Sequence, residues 1–157
     1  MQRTVWTAAT IAVVVLLAGA RGSGADVDSR AEEARRGCSE RTLKGTYSIQ
    51  IQGTQPAGPS GPTESVVGVV IRDYDGRGTF TQVDNVKGSI SGWAPDREGF
   101  GTYEVNPDCT AVVYLEPAPG IVLEERLVIV NGGREAFGAV TQLALVMVTS
   151  VHRRIRD

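Results

Sequence analysis

Three charged residues in a row, Glu124-Glu125-Arg126, stand inside the otherwise apolar stretch Ile121 to Val130. If this stretch is a strand, alternation puts Glu125 with Leu123, Leu127 and Ile129. Glu124 and Arg126 then fall with Val122, Val128 and Val130. Either choice sets a carboxylate among apolar neighbours. Burial would raise its pKa, which suits general acid or base work or the anchoring of a ligand. The plainer alternative is an outward charge, or an internal ion pair with Arg126 or Arg134.

Other residues with chemical potential are sparse. The chain holds a single histidine, His152, beside Arg153 and Arg154, and that setting predicts a solvated polar face. It is the one candidate base for a serine nucleophile, and no G-x-S-x-G elbow is present. Asp73-x-Asp75-Gly76-x-Gly78 faintly resembles a calcium loop, but it lacks the third carboxylate and the distal Glu, so a turn is the better reading. Gly99-Phe100-Gly101 has no phosphate-loop signature and reads as bulge-forming. Two cysteines and one histidine are too few soft ligands for a metal site at the usual spacings. No metal and no cofactor is expected.

The elements that position these residues are strands. In Lys44 to Gly53, Tyr47, Ile49 and Ile51 alternate with Thr46, Ser48, Gln50 and Gln52, giving one apolar and one uncharged polar face. Gln55 to Thr63 is a Pro- and Gly-rich loop. Further strands are predicted over 64–72, 78–85, 86–92, 99–105, 109–115, 121–130, 134–141 and 144–153. The turns between them include Asp75-Gly76, Trp93 to Asp96, Asn106-Pro107-Asp108 and Asn131-Gly132-Gly133. Eight or nine short strands with short sequential connections predict an all-β fold. A single antiparallel up-and-down barrel is favoured over a β-sandwich, because closure removes exposed edges. Gly68, Gly88, Gly101 and Gly138 inside strands fit the coiling that a small barrel needs.

The amino terminus predicts export. Arg3 precedes the apolar run Val5 to Leu17, and Ala18-Gly19-Ala20 offers small residues for cleavage, with Ser23-Gly24-Ala25 a second candidate site. The run is short for a membrane helix, although an uncleaved anchor is the alternative. The organisation expected is a signal peptide over 1–20, a flexible linker over 21–37 and a β-barrel domain over 38–157. Arg3 is the only charged side chain of the signal, so its removal takes the net charge from −2 to −3. This balance provides no electrostatic footprint for nucleic acid and no polybasic membrane patch. An exported chain with only Cys38 and Cys109 is expected to bridge them.

Several stretches resemble a family of small exported bacterial proteins of unknown function. They are Cys38-Ser39 through Leu43-Lys44-Gly45-Thr46-Tyr47, the hairpin Asp73 to Gly78, Gly101-Thr102-Tyr103 with Asn106 to Thr110, and Val128 to Glu135. The resemblance implies a lipocalin-like or allene-oxide-cyclase-like barrel and little about activity. The Glu124-Glu125-Arg126 triplet departs from it, where a more apolar strand is expected.

The function expected is non-catalytic binding of a small apolar or amphipathic ligand or of a protein partner, in a secreted or periplasmic setting without stable membrane insertion. The alternatives are a barrel-mouth enzyme of isomerase or cyclase type using an interior glutamate, and a purely structural role. Glu125, Tyr47 and Arg126 are the candidate ligand-binding residues. An interior cavity of roughly 300 Å³ or more with convergent polar groups would favour binding or catalysis. An interior filled by side chains would favour neither.

Overall fold

The computed structural model describes residues 37–118 and 120–157. The expected signal peptide over 1–20, and all but the last residue of the expected linker over 21–37, lie outside the described residues.

Eight antiparallel strands close into one up-and-down barrel in sequence order. They are β1 (Gly45–Pro56), β2 (Thr63–Tyr74), β3 (Thr79–Gly88), β4 (Gly92–Val105), β5 (Thr110–Ala118), β6 (Ile121–Val130), β7 (Glu135–Val140) and β8 (Met147–Arg156). The ring is completed by β1 against β8, with Ile49 opposite His152 and Ile51 opposite Ser150. No sandwich forms, because the last strand finds its partner in the first and leaves no edge.

One reading of the elements needs correction. Val86 to Gly92 is not a separate strand. Val86 to Gly88 continues β3, a tight turn follows at Ser89 to Ser91, and β4 runs from Gly92 straight through Trp93 to Asp96. The Pro95-Asp96 pair is tolerated inside the ladder because the register shifts there, between Asp84 and Val86 on the facing strand. Asp96 takes a φ of 47° and exchanges hydrogen bonds with Asn85. A bulge absorbs what sequence pattern alone reads as a turn.

The two ends of the barrel differ. At one end the 3-10 turn Glu40–Leu43 lies across the opening, with Leu43 fully buried. Beneath it Tyr74 packs edge-on against Tyr47 and Tyr103, with ring centroids 5.3 and 4.9 Å apart. Such pairs add specific orientation to the burial of large apolar rings. The Tyr103 hydroxyl accepts from Gly76 N–H and donates to Glu40 C=O. The Tyr47 hydroxyl donates to Gly133 C=O and accepts from Arg154. A Cys38–Cys109 disulfide fastens the chain leading into the turn, with Cα atoms 4.9 Å apart.

The opposite end is framed by the β1–β2 loop, the β3–β4 turn, the β5–β6 turn and the β7–β8 loop. Here the inward-facing Ile51, Leu115, Leu123, Val140 and Val148 are only partly buried. On the other side of the same end Glu64, Val66 and Val86 are buried, and the Ile90–Ser91 turn donates to the Glu64 carboxylate. Two depressions, of about 470 and 590 Å³, lie on the outer wall around Phe100. Neither opens into the interior, which is packed with side chains.

Candidate functional site

The middle of the interior carries a network of charged and polar side chains. Strand alternation brings Arg72 from β2, Gln82 and Asp84 from β3, Glu125 from β6, and Ser150 and His152 from β8 to the same side of the wall. Arg72 is its hub. Its Nε donates to Gln82 Oε1 at 2.8 Å, and its Nη1 donates to the Tyr74 hydroxyl at 3.0 Å and to Glu125 Oε2 at 3.3 Å. The guanidinium lies over the Phe80 ring, 4.4 Å from its centroid, a favourable arrangement for a cation out of water. Asp84 joins the network by accepting from Gln82 Nε2, and it pairs with Arg97 at 2.7 Å.

Glu125 is the acidic centre. The Ser150 hydroxyl donates to its Oε1, and His152 Nε2 stands 3.3 Å from the same oxygen. The His152 and Ser150 side chains are 2.8 Å apart. These groups meet because β7 places Gly138 between β6 and β8. A methyl group at that position would lie 2.6 Å from both Glu125 Oε1 and Leu127 Cδ2.

Desolvation alone would raise the Glu125 pKa. The His152 hydrogen bond and charge, Arg72 and Ser150 outweigh it and hold the group down to about 2. The expectation of a raised pKa is therefore wrong. It counted burial and could not count the donors that burial brings along.

His152 is fully buried, contrary to the solvated position expected of it. Burial lowers its pKa, Arg72 lowers it further, and Glu125 opposes both. At neutral pH the ring is uncharged. With Nε2 turned to Ser150 and Glu125, the proton sits on Nε2 and the lone pair on Nδ1. Nδ1 is buried and has no hydrogen-bond partner among the described residues.

These shifts set a pH dependence. Unfolded His152 takes up a proton near its ordinary 6.5, while the folded chain resists it. Stability is then complete above about pH 6.5 and falls as the pH drops below it. Glu125 adds a second loss, beginning below its ordinary 4.5 and running toward 2. His152 is the chain's only histidine, so the interval from pH 7 to 5 reports on it. Urea midpoints should fall across that interval in the native chain and stay level in His152→Gln. A native chain equally stable at pH 7 and pH 5 would show that His152 is not held neutral.

The sequence candidates separate. Glu125 faces inward with a side chain 13% exposed, beneath the partly buried aliphatic side chains of the open end. Tyr47 also faces inward but belongs to the sealed end, among Leu43, Tyr74 and Arg154. Arg126 lies on the outer wall, where its Nε donates to Glu124 Oε1 at 2.8 Å. Glu124 is tied there by Thr141 and Gln142 as well. Sequence reasoning missed Arg72, Gln82, Asp84 and Ser150, and it set His152 on a solvated face. The period-two signal was present in Ser150-x-His152-x-Arg154, but Thr149-x-Val151-x-Arg153 offers a face of similar polarity.

Among the described residues, no group of three or more His, Cys, Asp or Glu side chains is placed to hold a metal ion, and no helix is long and apolar enough to cross a membrane. No family model matches the chain, and no curated protein or solved structure matches it.

Proposed function

We propose that this barrel is a non-catalytic binding protein, working outside the cytoplasm, that takes a small amphipathic ligand at its open end. One observation carries the reading: a polar network built on Arg72 and Glu125 lies beneath a collar of incompletely buried aliphatic side chains, at the end of the barrel left unsealed. The interior is filled by side chains, so the site proposed is the collar of the mouth and not a cavity within. The disulfide supports the compartment, since such bonds persist where the surroundings are oxidising. The lipocalin-like relationship belongs to this proposal too, and its support is the closed eight-stranded meander.

The enzymatic alternative draws less support. A general base works best with a pKa near the working pH, and Glu125 is held at about 2. Glu125 Oε1 is also already engaged by Ser150 and His152. A protein partner is the second reading. Val67, Val69, Ile71 and Val83 on the outer faces of β2 and β3 are 40–58% exposed, beside Phe100 at 64%. Contiguous apolar surface of this kind marks interaction sites.

A neutral fluorescent amphipath, N-phenyl-1-naphthylamine, separates the two. Its emission should rise on binding, with a dissociation constant in the micromolar range, on the order of −8 kcal/mol. Leu123→Asp at the collar should weaken binding at least ~10-fold, because it places a charge where the tail must lie. Phe100→Ser on the outer wall should leave it unchanged. No binding by the native chain, or loss with Phe100→Ser alone, would overturn the open end as the site.

A further inference from the structure

We infer that the open end of the barrel docks reversibly on a zwitterionic lipid bilayer, with its loop tips in the headgroup layer. The inference concerns the outward side chains of the rim, and it goes beyond the binding of a small ligand there.

The two ends differ in charge. The segments that frame the open end, 54–65, 86–95, 115–123 and 139–149, contain Glu64, Lys87 and Glu116 as their only charged residues. Glu64 is buried, which leaves Lys87 and Glu116 exposed, one of each sign. The turns and strand ends of the sealed end instead gather Glu40, Arg41, Asp75, Arg77, Arg134 and Arg156. A rim without net charge complements a lipid surface without net charge. It offers no cluster of cations to an anionic one.

Apolar side chains stand where charge is missing. Ile90 and Trp93 project from the β3–β4 turn, Ile121 from the β5–β6 turn, and Leu143, Leu145 and Met147 from the β7–β8 loop and the start of β8. All are 44–73% exposed. Single exposed aliphatic side chains are ordinary, but a gathering of them at one end marks an interaction surface. In the eight-strand ring β3–β4 lies opposite β7–β8, with β5–β6 between them. The tips therefore stand on three sides of the mouth. A fluid interface accepts separated tips and keeps the loop backbone between them wet. A folded partner would need three matching recesses. The ring of Trp93 also suits the headgroup layer, where its apolar body and its N–H both find what they need.

The tips are held in place. Ile90 N–H and Ser91 N–H donate to the Glu64 carboxylate at 2.9 and 2.8 Å, which fixes the β3–β4 turn with the Ile90 side chain outward. Leu143 takes a φ of 70°, a left-handed conformation that leucine rarely adopts. Its carbonyl accepts from Val146 N–H at 2.8 Å. Docking then has little loop ordering left to oppose it.

The test is flotation of the exported chain, its amino terminus fixed by mass spectrometry, with phosphatidylcholine vesicles. The chain should float with them, and the emission of Trp93, the one tryptophan after residue 20, should shift to the blue. Leu143→Ser/Leu145→Ser should weaken the partition at least ~10-fold, because two leucines lose their transfer out of water. Ile90→Ser, across the mouth, should act in the same sense and serves if the first variant does not fold. Ile155→Ser removes an exposed side chain of similar size at the sealed end and should leave the partition unchanged. No flotation with phosphatidylcholine, binding that requires anionic lipid, or a partition unmoved in both folded rim variants overturns the inference. Self-association of the native chain in sedimentation velocity, abolished by the leucine variant with no vesicle binding, overturns it too and assigns the tips to a second copy. Binding of N-phenyl-1-naphthylamine in vesicle-free solution is scored separately, so the ligand reading stands or falls on its own.

Discussion

Replacing Arg72 with methionine is expected to lower folding stability by about 3–5 kcal/mol, the cost of stranding a buried charge by removing its partner. The size follows from burial: the Arg72 side chain is 5% exposed and that of Glu125 13%, so solvent screens the pair little. The change also strands the Oε1 of Gln82, which accepts from Arg72 Nε. Arg72→Met/Glu125→Leu should recover most of the loss, since a buried ion pair is often replaced by apolar side chains at no net cost. The quantity to measure is the coupling energy from urea midpoints of the native chain, both single variants and the double. A single variant within 1 kcal/mol of the native chain would show the network to be solvated from the open end.

Opening the disulfide should have a comparable effect by a different route. Cys38 and Cys109 are 71 residues apart in sequence, and a closed loop of that length restricts the unfolded chain by about 4 kcal/mol. Cys38→Ser/Cys109→Ser should therefore melt well below the native chain, and reductant should reproduce the shift. The native contacts around the bridge are modest: Cys38 N–H donates to Pro107 C=O at 3.2 Å, and Cys109 is only partly buried. Equal stability of reduced and oxidised chains would mean that the sealed end forms without the bridge and that the unfolded chain is already compact.

The fold was readable where one face of a strand is apolar and the other is not. Tyr47, Ile49 and Ile51 against Ser48, Gln50 and Gln52 left one choice of inside, and the structure follows it. The seventh predicted strand also resolves as burial requires, with Leu127 and Ile129 buried and Val128 exposed. That register carries Glu125 inward with them. In Glu64 to Arg72 the period says nothing of inside and outside, because Val66 and Val70 on one face oppose Val67, Val69 and Ile71 on the other. Arg72 then reads as a polar strand end, whereas it is the hub of the interior network. His152 was hidden by its neighbours, since arginines follow it and only the closure against Ile49 decides which face is dry. The network's members come from four strands, β2, β3, β6 and β8, and what joins them is the ring.

That ring has a consequence for how the protein comes to be made. The pairing that closes it joins β1 to β8, the described strands farthest apart in sequence. On a ribosome, β1 emerges early and exposes an unsatisfied edge until nearly the whole chain has been synthesised. Contacts of such separation form slowly, because loop closure costs entropy before they repay it. His152 and Arg154 arrive with the closing strand, so neither the interior network nor the Tyr47 seal can be completed any earlier. The closed ring and the network inside it are therefore completed only once β8 has been made.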